Sequence, residues 1–168
     1  SKITLNYKQA TMSAGDTLKL QVKSVSPKKA SKQVKWKSSN RKVATVSSSG
    51  KVKGKKNGTV TVTAVSKLNP RATAKCKIKV YKATKSLTVT GKKSYTLNPG
   101  KTVTLKTKIN PAKGAQPIQW SSKNKKVAKV STKGKVSAVS EGVTTITGKS
   151  GKKKVNVKIT VKKVDNSN

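Results

Sequence analysis

Few side chains in this 168-residue sequence could carry acid–base, nucleophilic or metal chemistry. The acids are Asp16, Glu141 and Asp165, histidine is absent, and Cys76 is the one cysteine. A paired-carboxylate mechanism needs two carboxyls within reach of one bond, and an activated nucleophile needs a neighbouring base. Neither can be assembled from this set. A closed metal site likewise needs more ligands than one thiol and three scattered carboxylates supply. The expectation is a protein that is not an enzyme and holds neither cofactor nor metal.

What the sequence does supply is ammonium groups. Its 41 Lys and Arg leave a formal net charge of +38, divided as +20 over residues 1–83 and +18 over the remainder. The chemistry open to such a chain is attraction of polyanions. The candidates are an anionic cell-wall polymer such as teichoic acid, an anionic glycan, or nucleic acid bound non-specifically at low salt. Lys35 and Lys37 flank Trp36, and Lys75, Lys77 and Lys79 alternate with Cys76 and Ile78. On extended chain that alternation places the lysines on one face. These five are the candidate polyanion-binding residues. A merely solvated face would also explain the alternation, but solubility alone does not account for the scarcity of acids, because mixed-sign charge solubilises as well.

Other reactive groups have structural readings. Lysines on both sides of Cys76 could lower its pKa, yet it falls on the inward phase and matches Val157 of the second half, so it reads as a small core residue. Trp36 and Trp120 could stack on a sugar or a base, but their identical inward phase in the two halves assigns them to the core. Tyr7, Tyr81 and Tyr95 are then the candidate exposed aromatics. Asn57-Gly58-Thr59 fits a glycosylation acceptor and reads first as a hairpin turn.

The elements that must position these residues come in two copies. "VKWKSSNRKVATVSSSGKV" at 34–52 and "IQWSSKNKKVAKVSTKGKV" at 118–136 share an offset of 84. That spacing fits two tandem domains of about 80 residues, each able to bury a modest core. The first unit reads as strands "ITLNY", "DTLKLQVKSVS", "QVKWKSS", "KVATVS", "NGTVTVTAVS" and "ATAKCKIKVY", with a turn at "SAGD". The second repeats the order as "SLTVT", "TVTLKTKIN", "IQWSS", "KVAKVS", "GVTTITG" and "KVNVKITVKK", with a shorter last hairpin. Six or seven short strands per unit, turns every 8 to 12 residues and no helical periodicity predict an all-β fold of two immunoglobulin-like sandwiches. The boundaries read as 1–82 for the first domain, 83–86 for a short linker, 87–164 for the second and 165–168 for a tail.

These residues resemble the group 2 bacterial immunoglobulin-like domain. The resemblance rests on an aromatic-x-Ser strand, an Asn-x-x-Val-Ala-x-Val-x-x-x-Gly-x-Val core, and a Gly followed by a Thr/Val-rich strand. Here these are "WKSSNRKVATVSSSGKV" with Gly58 and "TVTVTA", then "WSSKNKKVAKVSTKGKV" with Gly142 and "VTTIT". The resemblance implies tandem modules of bacterial or phage surface proteins that serve as spacers or binding modules without catalysis. Read physically, Asn40 and Asn124 close turns through their side chains, and Gly50 and Gly134 supply a positive φ.

In such a sandwich the third, sixth and seventh strands share a sheet. Lys35 and Lys37 are then expected near Lys75, Lys77 and Lys79, with Gln119, Ser121, Lys154, Asn156 and Lys158 in the corresponding places of the second unit. No apolar run approaches 18 residues, and there is no leader-like or lipidation motif, so membrane insertion is not expected of this segment. The chain reads as part of a longer protein with neighbouring domains, extracellular at a bacterial surface or cell wall. Its expected role is that of a structural spacer or adhesion module. Polyanion binding is the alternative, and an accessory region of a secreted enzyme is the third reading.

Overall fold

The computed structural model describes residues 1–165, and these are all-β. The chain divides into two compact units, Ser1–Ala83 and Thr84–Asn168. Residues 166–168 of the expected tail lie outside the described residues.

In the first unit the strands are β1 (Lys2–Leu5), β2 (Gln9–Ser13), β3 (Thr17–Lys19), β4 (Val22–Ser26), β5 (Val34–Ser38), β6 (Ala44–Val46), β7 (Lys51–Gly54), β8 (Gly58–Ser66) and β9 (Thr73–Tyr81). One layer is a four-stranded sheet of order β2-β9-β8-β5, in which β2 and β9 run parallel and the other neighbours antiparallel. Opposite it lie β3-β7-β6 and the pair β1-β4. Val60, Val62, Cys76 and Ile78 from the first layer close on Ile3, Leu20, Ala44 and Val52 from the second, all of them buried. At about 1.5–3 kcal/mol for a fully buried aliphatic side chain, this cluster is what holds an 80-residue unit together.

The second unit repeats the plan strand for strand. It runs β10 (Ser86–Thr90), β11 (Ser94–Leu97), β12 (Thr102–Thr104), β13 (Lys106–Asn110), β14 (Gln119–Ser122), β15 (Ala128–Val130), β16 (Lys135–Ala138), β17 (Gly142–Ser150) and β18 (Lys153–Val161). Its sheets are β11-β18-β17-β14, β12-β16-β15 and β10-β13. Of the residues expected to link the units, Thr84 is buried with its hydroxyl 2.9 Å from that of Ser150, and Lys85 donates its N–H to Asn110 O at 2.8 Å. Ser86 already opens β10.

The structure has nine strands per unit where six or seven are expected. "DTLKLQVKSVS" is two strands, because its backbone changes partner. Leu20 N–H turns to Gly50 O at 2.9 Å, while Gln21 N–H goes to the Asn6 side chain at 2.8 Å and Asn6 Nδ2 donates back to Lys19 O. In β4 the register then slips between Thr4 and Leu5, leaving Lys23 as the extra residue of a bulge and turning Val25 inward. Asn57-Gly58 is not a hairpin turn. β7 pairs with β3 and β6, β8 with β5 and β9, so these residues carry the chain from one layer to the other. Gly58 has φ +153°, and a Cβ there would sit 2.9 Å from Val43.

The last hairpin is shorter in the second unit, as the sequence indicates. Gly151 and Lys152 alone join β17 to β18, where Lys67–Ala72 join β8 to β9.

Candidate anion-binding face

The outer face of the four-stranded sheet is set by β8 and β9. β8 sends Val60, Val62, Ala64 and Ser66 inward and Thr59, Thr61, Thr63 and Val65 outward, while β9 sends Cys76, Ile78 and Val80 inward and Lys75, Lys77 and Lys79 outward. β5, on the other side of β8, turns Lys35 and Lys37 outward. The pairing register gives the rows. Lys37 stands opposite Thr63, which stands opposite Lys75, and Lys35 stands opposite Val65, which stands opposite Thr73. Thr61 pairs with Lys77, and Lys77 with Gln9 of β2. Thr59, Lys79 and Thr11 make the next row.

The five sequence-predicted lysines therefore do share one face. They stand in two columns about 10 Å apart, two strand spacings, with a column of threonine hydroxyls between them. Along β9 successive lysines are about 7 Å apart, close enough to repel one another and to gain together from an anion lying along the strand. Lys79 also lies over the Tyr81 ring, its Nζ 5.0 Å from the centroid. Sequence reasoning missed the threonine column and β2. The alternation in "GTVTVTAV" is the signal for the former.

In the second unit the register corrects the expected correspondence. Thr147 pairs with Ser121 and Asn156, so Asn156 takes the place of Lys75, Lys158 that of Lys77 and Thr160 that of Lys79. Lys154 falls opposite Lys149, one row away from where it is expected. The row Lys37–Thr63–Lys75 is thus replaced by Ser121–Thr147–Asn156, in which the Thr147 hydroxyl donates to Asn156 Oδ1 at 2.8 Å. That one row is closed by a hydrogen bond where the first unit's offers two cations, while Lys149, Lys154 and Lys158 stand exposed in the rows on either side of it.

The repeated segment itself does folding work. Asn40 Oδ1 accepts Lys42 N–H, and Asn124 Oδ1 accepts Lys126 N–H, each at 3.0 Å. Ser38 and Ser122 donate to Ala44 O and Ala128 O at 2.6 and 2.7 Å, tying β5 to β6 and β14 to β15. Trp36 and Trp120 pack against the two cores but are only partly buried, because β5 and β14 are edge strands. Cys76 is fully enclosed, and burial pushes its thiol above the ordinary value.

That raised value has a testable sign. Since the unfolded thiol ionises first, the stabilisation is complete below the unfolded pKa and is lost as pH rises through the folded one. Titrating the native chain with a thiol reagent near pH 8 is expected to give no reaction, and one thiol after addition of denaturant. Cys76→Val, which copies Val157, should abolish the alkaline loss of stability attributable to this site while costing less than about 1.5 kcal/mol. Rapid labelling of the folded chain would show that the thiol is not enclosed.

A family model for the bacterial Ig-like domain (group 2) matches residues 1–76 and again 83–167. The chain belongs to this family, twice over. A curated relative, the 3-O-alpha-D-galactosyl-alpha-L-arabinofuranosidase of Bifidobacterium longum subsp. longum, is 47% identical over 58 residues, 34% of this chain and 5% of that enzyme. Among solved structures, surface layer protein SbsC, domains 1-6, is 24% identical, covering 87% of this chain and 22% of that one at a TM-score of 0.43. The C-terminal fragment of intimin, solved in complex with the intimin-binding domain of its translocated receptor, is 18% identical over 95% of this chain and 63% of that one, with a TM-score of 0.42. This chain thus spans a small part of the enzyme and of the surface-layer protein. The Ig-like domains set Asn40 and Asn124, Gly50 and Gly134, and Ser38 and Ser122 to the same tasks in each copy.

Proposed function

We propose that the two Ig-like domains form a non-catalytic spacer or adhesion segment of a secreted or cell-surface bacterial protein. The observation that supports this is the division of labour between shared and unshared positions. Residues common to both copies close turns, tie strands or fill cores, so what is duplicated is the scaffold. A scaffold repeated in this way separates and presents neighbouring domains of a longer protein. Attached to a catalytic domain, the same scaffold would be an accessory region of a secreted enzyme.

The reading is tested by placing the chain between a surface anchor and a reporter domain on bacterial cells. Deleting the chain should bury the reporter, and changing Lys75, Lys77 and Lys79 to Gln should leave it accessible. Loss of presentation on lysine replacement would overturn the spacer role.

A second reading, polyanion binding, is favoured by the Lys37–Thr63–Lys75 row and the lysines of β9. Titration with teichoic acid, heparin and duplex DNA across a salt series separates specific binding from general attraction. A binder of one polymer is expected to rank the three differently at physiological salt. Equal affinities that all vanish by about 0.15–0.3 M salt would leave only the long-range field.

A further inference from the structure

The first unit carries a groove that the sheet-face reading does not use. It has a volume of about 630 Å³ and runs along the sandwich margin where the β3–β4 break meets the loops before β5 and after β8. Trp36 lines it, together with Lys19, Lys32 and Lys67, the amide side chains of Gln21 and Gln33, and the serines of the β6–β7 turn. No carboxylate is among its lining residues. Three lysines in one groove, around an indole that is only partly covered, combine a cationic rim with an aromatic floor.

The groove is held by contacts beneath it. Leu20 N–H donates to Gly50 O at 2.9 Å, and Lys67 N–H to Gln33 O at 3.0 Å, so the strand break, the turn and both loops are tied together. Lys19 Nζ donates to Ser49 O across the groove. Gly50 lies so close to the indole that a Cβ there would meet Trp36 Cε2 and Cζ2 at 3.0 Å. The ring is therefore fixed in place before any ligand arrives, which lowers the ordering cost of binding.

Comparison with the second unit isolates what is particular here. Trp120 occupies the place of Trp36, but the pairing registers put Thr104 where Lys19 is, Gln116 where Lys32 is, and Gly151 where Lys67 is. All three cations are absent while the tryptophan stays. The folding job of the indole does not call for the lysines: Lys19 ties to Ser49, and Lys32 and Lys67 stand exposed along the groove.

We propose that this groove binds an acidic glycan, a chain of sugar rings bearing carboxylates. A sugar ring offers C–H groups to the electron-rich face of an indole and hydroxyls to amides and serines, and its carboxylates offer charge-assisted hydrogen bonds to lysines. Nucleic acid would be served by the lysines but finds a single aromatic where successive bases need several. The site is separate from the sheet face and does not rest on it.

The test is titration of the chain at about 0.15 M salt with oligogalacturonate, with a neutral maltooligosaccharide and with polyphosphate. Backbone amide shifts of Gln33 and Ser49 in the unaltered chain are followed beside Trp36 emission in a Trp120→Phe variant. Oligogalacturonate is expected to perturb both saturably. Lys32→Gln with Lys67→Gln should weaken it about tenfold, as the loss of a charge-assisted hydrogen bond implies, and the Lys75, Lys77 and Lys79 triple change to Gln should leave it unaltered. Equal affinity for polyphosphate or for the neutral sugar overturns the proposal. So does the absence of any saturable shift, or a loss caused by the sheet-face variant instead.

Discussion

Gly50→Ala is expected to unfold the first unit selectively. Gly50 has φ +86°, a region that costs an L side chain about 1–2 kcal/mol, and its Cβ would overlap the Leu20 carbonyl oxygen and lie 3.0 Å from the Trp36 ring. The carbonyl cannot yield cheaply, since it belongs to the backbone at the β3–β4 break, and the indole is wedged against the core. Strain and overpacking together come to about 3 kcal/mol or more. For a unit of this size that is roughly 12–24 °C in melting temperature. The matching change in the second unit, Gly134→Ala, should cost less, because there the Leu105 carbonyl oxygen would stand 3.0 Å away and the Trp120 ring 3.1 Å. Calorimetry of the whole chain should show the Gly50→Ala transition splitting into an early and an unshifted one. A single unsplit transition would refute independent folding of the units, and equal shifts for the two variants would refute the ranking.

The second large effect concerns charge. Replacing Lys75, Lys77 and Lys79 with Gln should flatten the salt dependence of duplex DNA binding. Each phosphate-neutralising cation contributes about 0.9 to the slope of log affinity against log salt, so three such contacts are worth about 2.7. Removing Lys154 and Lys158 from the second unit should change the slope by well under that, because Asn156 and Thr160 stand where Lys75 and Lys79 do and Lys158 alone keeps its place. Equal losses per lysine in the two units would mean that charge acts as a diffuse cloud, and that the rows on the first sheet confer nothing.

How far the sequence carries this description depends on whether a feature is local. Turn closure by Asn40 and Asn124 and the positive φ of Gly50 and Gly134 are legible because each is decided within a few residues. The grouping of Lys35 and Lys37 with Lys75, Lys77 and Lys79 follows once the sandwich is assumed, since alternation fixes the face and topology fixes the neighbours. β2 escapes notice because its partner is β9, nearly 70 residues away, and parallel pairing leaves no turn between them to read. The break after Lys19 is hidden because Leu18, Leu20 and Val22 keep an unbroken alternation while their backbone changes partner. Lys154 is misplaced by one row because the shortened hairpin lowers the offset between the units from 84 on β8 and β17 to 81 on β9 and β18, which makes Asn156, and not Lys154, the counterpart of Lys75. The groove around Trp36 draws on four separate segments, and no local pattern announces it.

The parallel pairing of β2 with β9 has a mechanical meaning. Within the first unit the chain enters through β1, held antiparallel against β4, then passes into β2 and leaves through β9, so once β1 is peeled from β4 tension between the two ends draws β2 and β9 in opposite directions along their length. Gln9 through Ser13 and Lys77 through Tyr81 form one ladder, whose hydrogen bonds must then be sheared together rather than unzipped in turn. β11 and β18 repeat the arrangement from Ser94 to Leu97. Resistance to pulling is governed by the unfolding rate rather than by equilibrium stability. A unit of modest thermal stability can on this account still bear load, and its endurance is set by two strands that never meet in sequence.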